Sequence, residues 1–358
     1  MSTRKDRGTR SSNREFTRYD QVDKSHTYQL ADSGQDVFDE SFELKTCDMR
    51  QFFAGGAAGR RQFADELGAS LAEVGFACLV GHGVDPALYD EAHRAVVEVM
   101  TRPSLADKMR YRAERCGSVS QGYFPIKETS DIHPDLVEGW VFCRRAFDLD
   151  AAEGATFDAR RFWPVPELEP LFRRLVLAQE KLILPLTQSA FRYLGCDPHL
   201  YDQKLTKTNF GLRLNYYPPI SEADDASGAG RLLGHEDVDL FTLLPAPRVE
   251  GLQAWNRQSD KWVRIDAPAG SIILNTGDYM QRISNDIFPS TTHRVSKPRD
   301  GSHDRNIRVS IPMAIYVWED ELLEVLPGTG TPKYEPIKAI TFHTRSTSKF
   351  YGDDYAVE

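Results

Sequence analysis

The amino-acid sequence predicts an α+β protein in which a mainly helical N-terminal region precedes a β-sandwich or jelly roll. A change in hydrophobic period is the first reason for this fold class. Apolar residues recur at helical spacing from about residue 53 to 205, and the period then becomes two, as expected for strands. The second reason is that many short strand-like segments follow, separated by Gly and Pro turns, which is typical of a sandwich or jelly roll.

The chain divides into three predicted parts. Residues 1–40 are polar and charged with little apolar periodicity, which predicts a flexible N-terminal arm. Residues 41–205 are predicted to form the mainly helical region, and residues 206–358 the jelly-roll core with a C-terminal extension. With 358 residues the chain is long enough for a large core, as one elaborate domain or two intimate ones.

Within residues 41–205, the first predicted helix follows from apolar spacing. Apolar residues from Phe63 to Val74 recur every three or four positions, which marks one face of an amphipathic helix. The apolar run 76–80, closed by a Gly-His-Gly turn, predicts a buried strand. Pro86 predicts the start of a second helix, because proline suits the first helical turn.

A longer helical pattern starts near Pro166. We expect Pro185 to kink this helix, because proline removes one backbone hydrogen bond and clashes with the preceding turn. Gly195 is a plausible C-terminal cap, since glycine readily adopts the left-handed conformation that ends many helices.

The second half of the chain is predicted to consist of short strands. Polar and apolar residues alternate over residues 209–215, as in a strand with two different faces. Residues 251–255 and 262–266 flank a polar turn and are predicted to form a hairpin. The apolar segments 271–274 and 307–311 predict further strands.

Composition narrows the classes of function. A hydrophobic fraction of 41% and a charged fraction of 27% are ordinary for a soluble globular protein. The net charge of −9 argues against a nucleic-acid partner, which would need a basic surface for phosphate contacts. No apolar run approaches the roughly 18–20 residues of a membrane span, so no membrane partner is expected.

The cysteines indicate a reducing compartment. Five are scattered along the chain, and none forms a Cys-x-x-Cys pair. The N-terminal residues carry positive charge without an apolar stretch behind them, which is not the pattern of a secretory signal. We therefore expect a cytoplasmic protein with free thiols.

Three residues form a candidate metal-ligand set: His235 and Asp237 in Gly-His-Glu-Asp, and His293 in Thr-His-Arg-Val. Because residues i and i+2 of a strand share a face, His235 and Asp237 can point at one ion. Two imidazoles and one carboxylate on one face of an octahedral ion are typical of non-haem Fe(II) oxygenases. His-x-Asp alone is a weak signal, because core histidines and chance account for most occurrences.

A candidate carboxylate site follows further along the chain. Arg308 and Ser310 lie on one face of a predicted apolar strand, and a buried arginine needs an anion beside it. The planar guanidinium can donate two parallel hydrogen bonds to a carboxylate, and the Ser310 hydroxyl can add a donor. A structural ion pair between Arg308 and an Asp or Glu is the alternative.

These motifs resemble the isopenicillin N synthase-like branch of the Fe(II)/2-oxoglutarate-dependent dioxygenases, from about residue 47 to 320. The N-terminal half contributes one segment, 74–84, with its Gly-Phe and Gly-His-Gly-Val elements. The C-terminal half contributes six motifs in the family's order: Asn215-Tyr-Tyr-Pro-Pro219, Gly234-His-Glu-Asp237, Gly251-Leu-Gln253, Asn275-Thr-Gly-Asp278, Thr292-His-Arg-Val295 and Arg308-Val-Ser-Ile-Pro312.

The resemblance implies a double-stranded β-helix core wrapped by N-terminal helices. It also implies that His235, Asp237 and His293 ligate Fe(II). Arg308 and Ser310 would bind the distal carboxylate of 2-oxoglutarate. Tyr217 would support that carboxylate, and Asn215 would be a nearby polar residue of the cosubstrate site.

The chain departs from the family pattern in two places. The interval between His293 and Arg308 is longer than usual, and we expect a long hairpin loop to absorb it. Glu236 replaces the commoner Thr between the first two ligands. Strand alternation should direct Glu236 away from the metal, so we predict no catalytic role for it.

The predicted function is oxidation of a small organic, specialised metabolite by Fe(II), 2-oxoglutarate and dioxygen, with release of succinate and carbon dioxide. Hydroxylation and desaturation both fit. One alternative is an oxidase that uses no 2-oxoglutarate, similar to isopenicillin N synthase or aminocyclopropane-carboxylate oxidase, since these relatives keep Arg-x-Ser. The other alternative is a non-catalytic jelly-roll binding protein, although intact candidate ligands count against it.

Overall fold

The computed structural model describes residues 15–19, 25–29, 36–126, 135–149, 157–221, 231–296 and 306–351. Most of the predicted arm 1–40 lies outside these residues, and so do residues 297–305, in the interval for which a long hairpin loop is predicted. Among the described helices, no segment combines the length and the apolar character required to cross a membrane.

Helices dominate the described part of residues 41–205. The helices of this part are α1 (Arg50–Ala54), α2 (Gly56–Val74), α3 (Pro86–Thr101), α4 (Leu105–Met109) and α5 (Glu169–Tyr193). Two further described helices, α6 (Asp278–Ile283) and α7 (Ala339–Tyr351), lie later in the chain. Short 3-10 turns occur at Arg144–Ala146, Ala159–Arg161 and Pro166–Leu168.

The strands lie mainly in the second half of the chain. The first nine are β1 (Glu15–Tyr19), β2 (Ser25–Gln29), β3 (Thr46–Asp48), β4 (Phe76–Val80), β5 (Glu114–Cys116), β6 (Val119–Phe124), β7 (Glu138–Cys143), β8 (Asn209–Tyr217) and β9 (Leu232–His235). The others are β10 (Phe241–Pro245), β11 (Leu252–Asn256), β12 (Lys261–Arg264), β13 (Ile272–Thr276), β14 (His293–Val295), β15 (Arg308–Ser310), β16 (Met313–Tyr316), β17 (Leu322–Leu323) and β18 (Ile337–Lys338).

The helices predicted from apolar spacing are confirmed. The apolar face of α2 is buried from Phe63 to Val74, and the helix ends at Gly75, whose φ of 72° is left-handed. The carboxylate of Asp85 caps α3 by accepting a hydrogen bond from the Ala87 backbone N–H. α5 continues through Pro185, and Gly195 follows its end with a left-handed φ of 75°.

Two sheets form the predicted double-stranded β-helix. The major sheet has ten strands in the order β3-β4-β13-β10-β16-β8-β7-β6-β5, with β15 also pairing with β8. The minor sheet has the order β12-β11-β14-β9. β10 pairs with both β13 and β16, and β14 pairs with both β11 and β9, all antiparallel. The α+β fold class is therefore confirmed.

Strands β5, β6 and β7 were not predicted, since residues 53–205 were expected to be mostly helical apart from 76–80. They extend the major sheet beyond β8, where β7 pairs with β8 from Glu138↔Tyr216 to Cys143↔Gly211. Their period of two is obscured in the sequence because both faces are buried over most of β6 and β7. These strands form a wall beside the site described below.

The core has separate parts on the two sides of the major sheet. One cluster joins the helices to this sheet and includes Leu67 of α2, Val96 of α3, Leu182 of α5 and Leu212 of β8. A second cluster joins the major sheet to the minor sheet through residues such as Ile273 and Val263. These clusters hold the sheets in place around the site.

The end of the predicted arm lies against the minor sheet. The Asp36 carboxylate lies 2.7 Å from Arg294 Nη2, and the Asp39 backbone N–H donates to the Trp262 carbonyl at 2.9 Å. The guanidinium of Arg264 lies 3.9 Å from the centre of the Phe38 ring. Flexibility of the preceding residues stays a prediction.

Candidate active site

The three candidate ligands meet at one end of the β9–β14 strand pair of the minor sheet. His235 ends β9, and His293 begins β14, and the antiparallel register places the two residues directly opposite each other. Their ring centres are 4.3 Å apart. Asp237 follows His235 by two residues, just beyond the end of β9, and its carboxylate lies beside both imidazoles.

The donor atoms of the three residues surround one point. His235 Nε2 lies 3.8 Å from Asp237 Oδ1, and His293 Nε2 lies 3.7 Å from Asp237 Oδ2. All three donor atoms lie within 4.8 Å of one another. Two imidazole nitrogens and one carboxylate oxygen at this separation fit a divalent ion with open positions for other ligands.

Backbone hydrogen bonds orient both imidazoles. His235 Nδ1 lies 2.8 Å from the Leu233 carbonyl oxygen, and His293 Nδ1 lies 3.0 Å from the Thr291 carbonyl oxygen. A carbonyl oxygen can only accept, so each Nδ1 carries the proton and each Nε2 keeps its lone pair. The lone pairs therefore face Asp237, as is usual for histidines that bind a metal.

The protonation states of the ligand set also suit a cation. Burial lowers the pKa of His235 to about 4, and His293 adds to this effect, so the ring is neutral near pH 7. Burial opposes ionisation of Asp237, but His293, His235 and the Asn275 amide together lower the pKa of this carboxyl. Neutral imidazoles and an ionised carboxylate are the forms that bind metals.

Asn275 is a site residue that the sequence analysis did not assign. It lies on β13 of the major sheet, and its Nδ2 donates a hydrogen bond of 2.8 Å to Asp237 Oδ2. The only signal in the sequence was its place in the Asn-Thr-Gly-Asp motif, which indicated no contact. This bond holds the carboxylate from the opposite sheet.

Glu236 lies between the ligands in sequence but has other partners. Its Oε1 accepts a hydrogen bond of 2.8 Å from the Thr292 hydroxyl, and Arg257 Nη2 lies 3.5 Å from the same oxygen. These contacts agree with the expectation that Glu236 points away from the metal position.

The four residues of the predicted cosubstrate site lie on two neighbouring strands. In the β15–β8 pair, Arg308 is opposite Tyr217, and Ser310 is opposite Asn215. The Asn215 amide donates to the Ser310 hydroxyl at 3.2 Å, and the Arg308 guanidinium lies 4.9 Å from the centre of the Tyr217 ring. The structure thus brings these residues together.

Arg308 is a buried cation with unused hydrogen-bonding capacity. The residue is 1% exposed, and its Nε donates to the Val249 carbonyl oxygen at 3.2 Å. Its Nη1 has no hydrogen-bond partner, and no carboxylate among the described residues forms an ion pair with it. The alternative of a structural ion pair is therefore unsupported. A buried donor without a partner is costly, so the guanidinium fits an incoming anion.

A cavity of about 200 Å³ opens beside the ligand set. His235, Asp237, Asn215 and Tyr217 line it, whereas Arg308 and Ser310 lie on the neighbouring strand and do not. The side of the cavity away from the ligand set is formed by β6 and β7, the strands that were not predicted, and by the residues beside them. Its apolar members are Val119, Phe124, Val137 and Val141. An apolar cavity with a few polar groups at one end suits a small organic ligand.

Comparison with known proteins agrees with this geometry. Residues 208–315 match the model of the 2OG-Fe(II) oxygenase superfamily, and residues 44–166 match that of the non-haem dioxygenase in morphine synthesis N-terminal region. A 2-oxoglutarate-dependent dioxygenase of Monascus ruber is 30% identical over 273 residues, which covers 71% of this chain and 80% of the relative.

Solved structures share the fold. A 2OG-Fe(II) oxygenase family protein from Caulobacter crescentus is 25% identical, has a TM-score of 0.71, and covers 86% of this chain and 98% of its own. A full-length Neurospora crassa protein in complex with alpha-ketoglutarate and 5-formyluracil is 20% identical, with a TM-score of 0.74 and coverage of 88% and 99%.

The second of these likenesses concerns the fold alone, because its sequence identity is low. The Monascus relative and the two family models go further, since together they span both the helical region and the jelly-roll core. The family expected from the motifs is thereby confirmed: the chain belongs to the 2OG-Fe(II) oxygenase superfamily and is a non-haem Fe(II)- and 2-oxoglutarate-dependent dioxygenase.

Proposed function

We propose that His235, Asp237 and His293 are the Fe(II) ligands with which this dioxygenase oxidises a small organic metabolite. The observation that carries the proposal is the convergence of two Nε2 lone pairs and one carboxylate on a single point. When bound there, Fe(II) and 2-oxoglutarate supply the power to oxidise an unactivated C–H bond with dioxygen, with release of succinate and carbon dioxide.

Arg308 and Ser310 hold the distal carboxylate of 2-oxoglutarate in this proposal. The free Nη1 of Arg308 supports the assignment, because a carboxylate would satisfy it in the buried position. Tyr217 packs against the guanidinium and limits its movement. Asn215 positions the Ser310 hydroxyl through its amide.

The remaining residues orient the site and exclude water. The Leu233 and Thr291 carbonyls fix the two imidazole rings, and Asn275 fixes the Asp237 carboxylate. The apolar wall from β6 and β7 excludes water from the substrate side, which protects reactive species from side reactions. Hydroxylation and desaturation both remain compatible with this role.

We propose a cytoplasmic enzyme without a nucleic-acid or membrane partner. All five cysteines are free thiols, which supports a reducing compartment. The net charge of −9 supports the absence of a nucleic-acid partner.

An anaerobic titration tests the proposed ligands. Metal-free protein receives Fe(II) and then 2-oxoglutarate, and the visible charge-transfer band of the chelate is followed. We expect a saturable band in the wild type and no band in His235→Ala or Asp237→Ala. His199→Ala serves as the matched control, because that side chain is 65% exposed and lies outside the site.

Each outcome separates the alternatives. Fe(II) binding without a band would support the oxidase that needs no 2-oxoglutarate. Absence of Fe(II) binding in the wild type would support the non-catalytic jelly roll. A band of full intensity in His235→Ala would remove that residue from the ligand set.

A further inference from the structure

The cavity contains one arginine whose charge the site does not use. Arg213 lies on β8, two residues before Asn215 and four before Tyr217, so strand alternation places all three on one face. All three line the cavity, while Leu212 and Leu214 point into the core on the other face. Arg213 is half-buried.

Arg213 has no acidic or hydrogen-bonding partner for its guanidinium among the described residues. The two carboxylates of the lining outside the metal site are already used. Asp135 accepts a hydrogen bond of 3.0 Å from the Leu233 backbone N–H, and Glu236 accepts one from Thr292. The guanidinium of Arg213 lies over the face of the Phe124 ring, 5.8 Å from its centre.

Other arginines near the cavity differ in this respect. Arg115 donates to the Gly117 carbonyl at 2.9 Å and to the Thr344 hydroxyl, and Arg257 donates to the Ser290 carbonyl at 3.1 Å. Their guanidinium groups are held by the protein. Arg213 is the lining arginine for which the described residues provide an aromatic face and no anion.

Arg213 shares the cavity with the candidate metal ligands. Arg213, His235 and Asp237 all line it, so an anion held by Arg213 would lie in the same cavity as the ligand set.

Glycines on both sides of Arg213 keep the space in front of it open. A Cβ at Gly211 would come within 2.9 Å of Val119 Cγ1, and one at Gly139 within 3.1 Å of Asn215 Oδ1. Val141 lies opposite Arg213 in the β7–β8 pair. The result is an open chamber in front of Arg213, with Val119 and Val141 among its lining residues.

We propose that Arg213 determines specificity by binding a carboxylate of the substrate, so that the substrate class is small organic acids with an apolar body. This inference rests on the proposed function. A planar guanidinium donates two parallel hydrogen bonds to a carboxylate, and its positive charge compensates one negative charge. The apolar body would contact Val119, Phe124 and Val141, and the bond to be oxidised would face His235 and Asp237.

A binding experiment with matched probes tests this assignment. The protein is first loaded with Mn(II), which replaces Fe(II) and prevents turnover. Saturating 2-oxoglutarate is then added to fill the proposed cosubstrate site at Arg308. A panel of short aliphatic and aromatic monocarboxylates is then titrated by calorimetry, each beside its primary amide. We expect the best acid to bind the wild type about tenfold to a hundredfold more tightly than its amide.

Variants of Arg213 identify the origin of that preference. Arg213→Gln should bind the acid more weakly and the amide as the wild type does, so that the preference for the acid is lost. Arg213→Lys should keep part of this preference. Arg174→Gln is the matched control, because Arg174 is an exposed residue of α5 paired with Glu91 at 2.8 Å. Melting temperatures check that each variant folds.

The possible failures are distinguishable. Equal affinity for acids and amides, no binding of any acid, or an unchanged preference in both Arg213 variants would overturn the role of Arg213. Absence of the Fe(II)–2-oxoglutarate band in the wild type would instead contradict the proposed function. A band in the Arg213→Gln variant shows that the cosubstrate site is intact when acid binding is lost.

Discussion

The side chain of Asn275 donates a 2.8 Å hydrogen bond to Asp237 Oδ2, and this contact joins the major sheet to the proposed metal ligand. Asp237 follows the end of a minor-sheet strand, so its carboxylate would otherwise be held by the loop alone. The amide restricts the carboxylate to the position that faces His235 and His293. Outer contacts of this kind commonly determine metal affinity.

We expect Asn275→Ala to weaken Fe(II) binding by about tenfold to a hundredfold, because the Asp237 carboxylate loses its orientation. The measurement is anaerobic titration with Fe(II). Gln188→Ala is a suitable control, since Gln188 donates to Asp202 at 2.9 Å far from the site in sequence and fold. An unchanged affinity in Asn275→Ala would contradict the orienting role.

We expect Arg308→Ala to raise the apparent 2-oxoglutarate requirement, with a smaller effect on the maximal rate. Loss of a buried charge partner costs about 2–5 kcal/mol, which corresponds to at least a thirtyfold weaker cosubstrate affinity. The band titration with 2-oxoglutarate measures this change. Arg102→Ala, at an exposed helix end, should leave the affinity as it is in the wild type. Equal affinities in all three proteins would exclude Arg308 from the site.

Gly211→Val is expected to fill the cavity without removing the metal site. The added Cβ would meet Val119 at 2.9 Å and Val141 at 3.5 Å, so the chamber in front of Arg213 would narrow. Because the ligand would lose space in the narrowed chamber, we expect about tenfold weaker acid binding in the calorimetric assay. The Fe(II)–2-oxoglutarate band should persist.

Ala57→Val, at an exposed position of α2, provides the control for added volume. If Gly211→Val bound the acids as tightly as this control, the substrate would have to lie elsewhere.

His343 on α7 predicts a loss of stability in acid. The side chain is buried beside Tyr279, and burial lowers the pKa of His343 to about 3. In the unfolded chain this histidine therefore binds a proton near pH 6.5, whereas in the folded protein it stays neutral until the pH is much lower. The stabilising contribution is complete above pH 6.5 and is lost as the pH falls towards 3, by at most about 1.4 kcal/mol per pH unit.

Urea unfolding between pH 7 and pH 4 checks this sign. His343→Asn should show a shallower decrease of the unfolding free energy than the wild type, whatever its stability at pH 7. His199→Asn, with an exposed side chain, should follow the wild-type slope. Parallel slopes in all three proteins would contradict the buried neutral state of His343.

Local patterns were sufficient for much of the fold. The apolar spacing of α2, the proline that opens α3 and the period of two in β8 each depend on neighbours in sequence, and each prediction was confirmed. The spacing of His235 and Asp237 also predicted that both could face one ion, and their donor atoms lie 3.8 Å apart. The sequence by itself therefore determined these elements and the candidate ligands.

Contacts between distant strands were decided only by the tertiary structure. The β14–β9 register brings His293 opposite His235, and the β10–β13 pairing places Asn275 beside the ligand set. Strands β6 and β7 were not predicted because burial on both faces removes the alternation that reveals a strand.

Contacts between distant strands also decide which charged side chains of the cavity are paired. The sequence shows that Arg213 and Arg308 are arginines in strands, but it does not show whether either of them meets an acidic side chain. That depends on which residues sheet pairing and packing bring within a few ångströms. Composition and periodicity therefore determined the class of protein, whereas long-range pairing determined which polar groups are left to bind ligands.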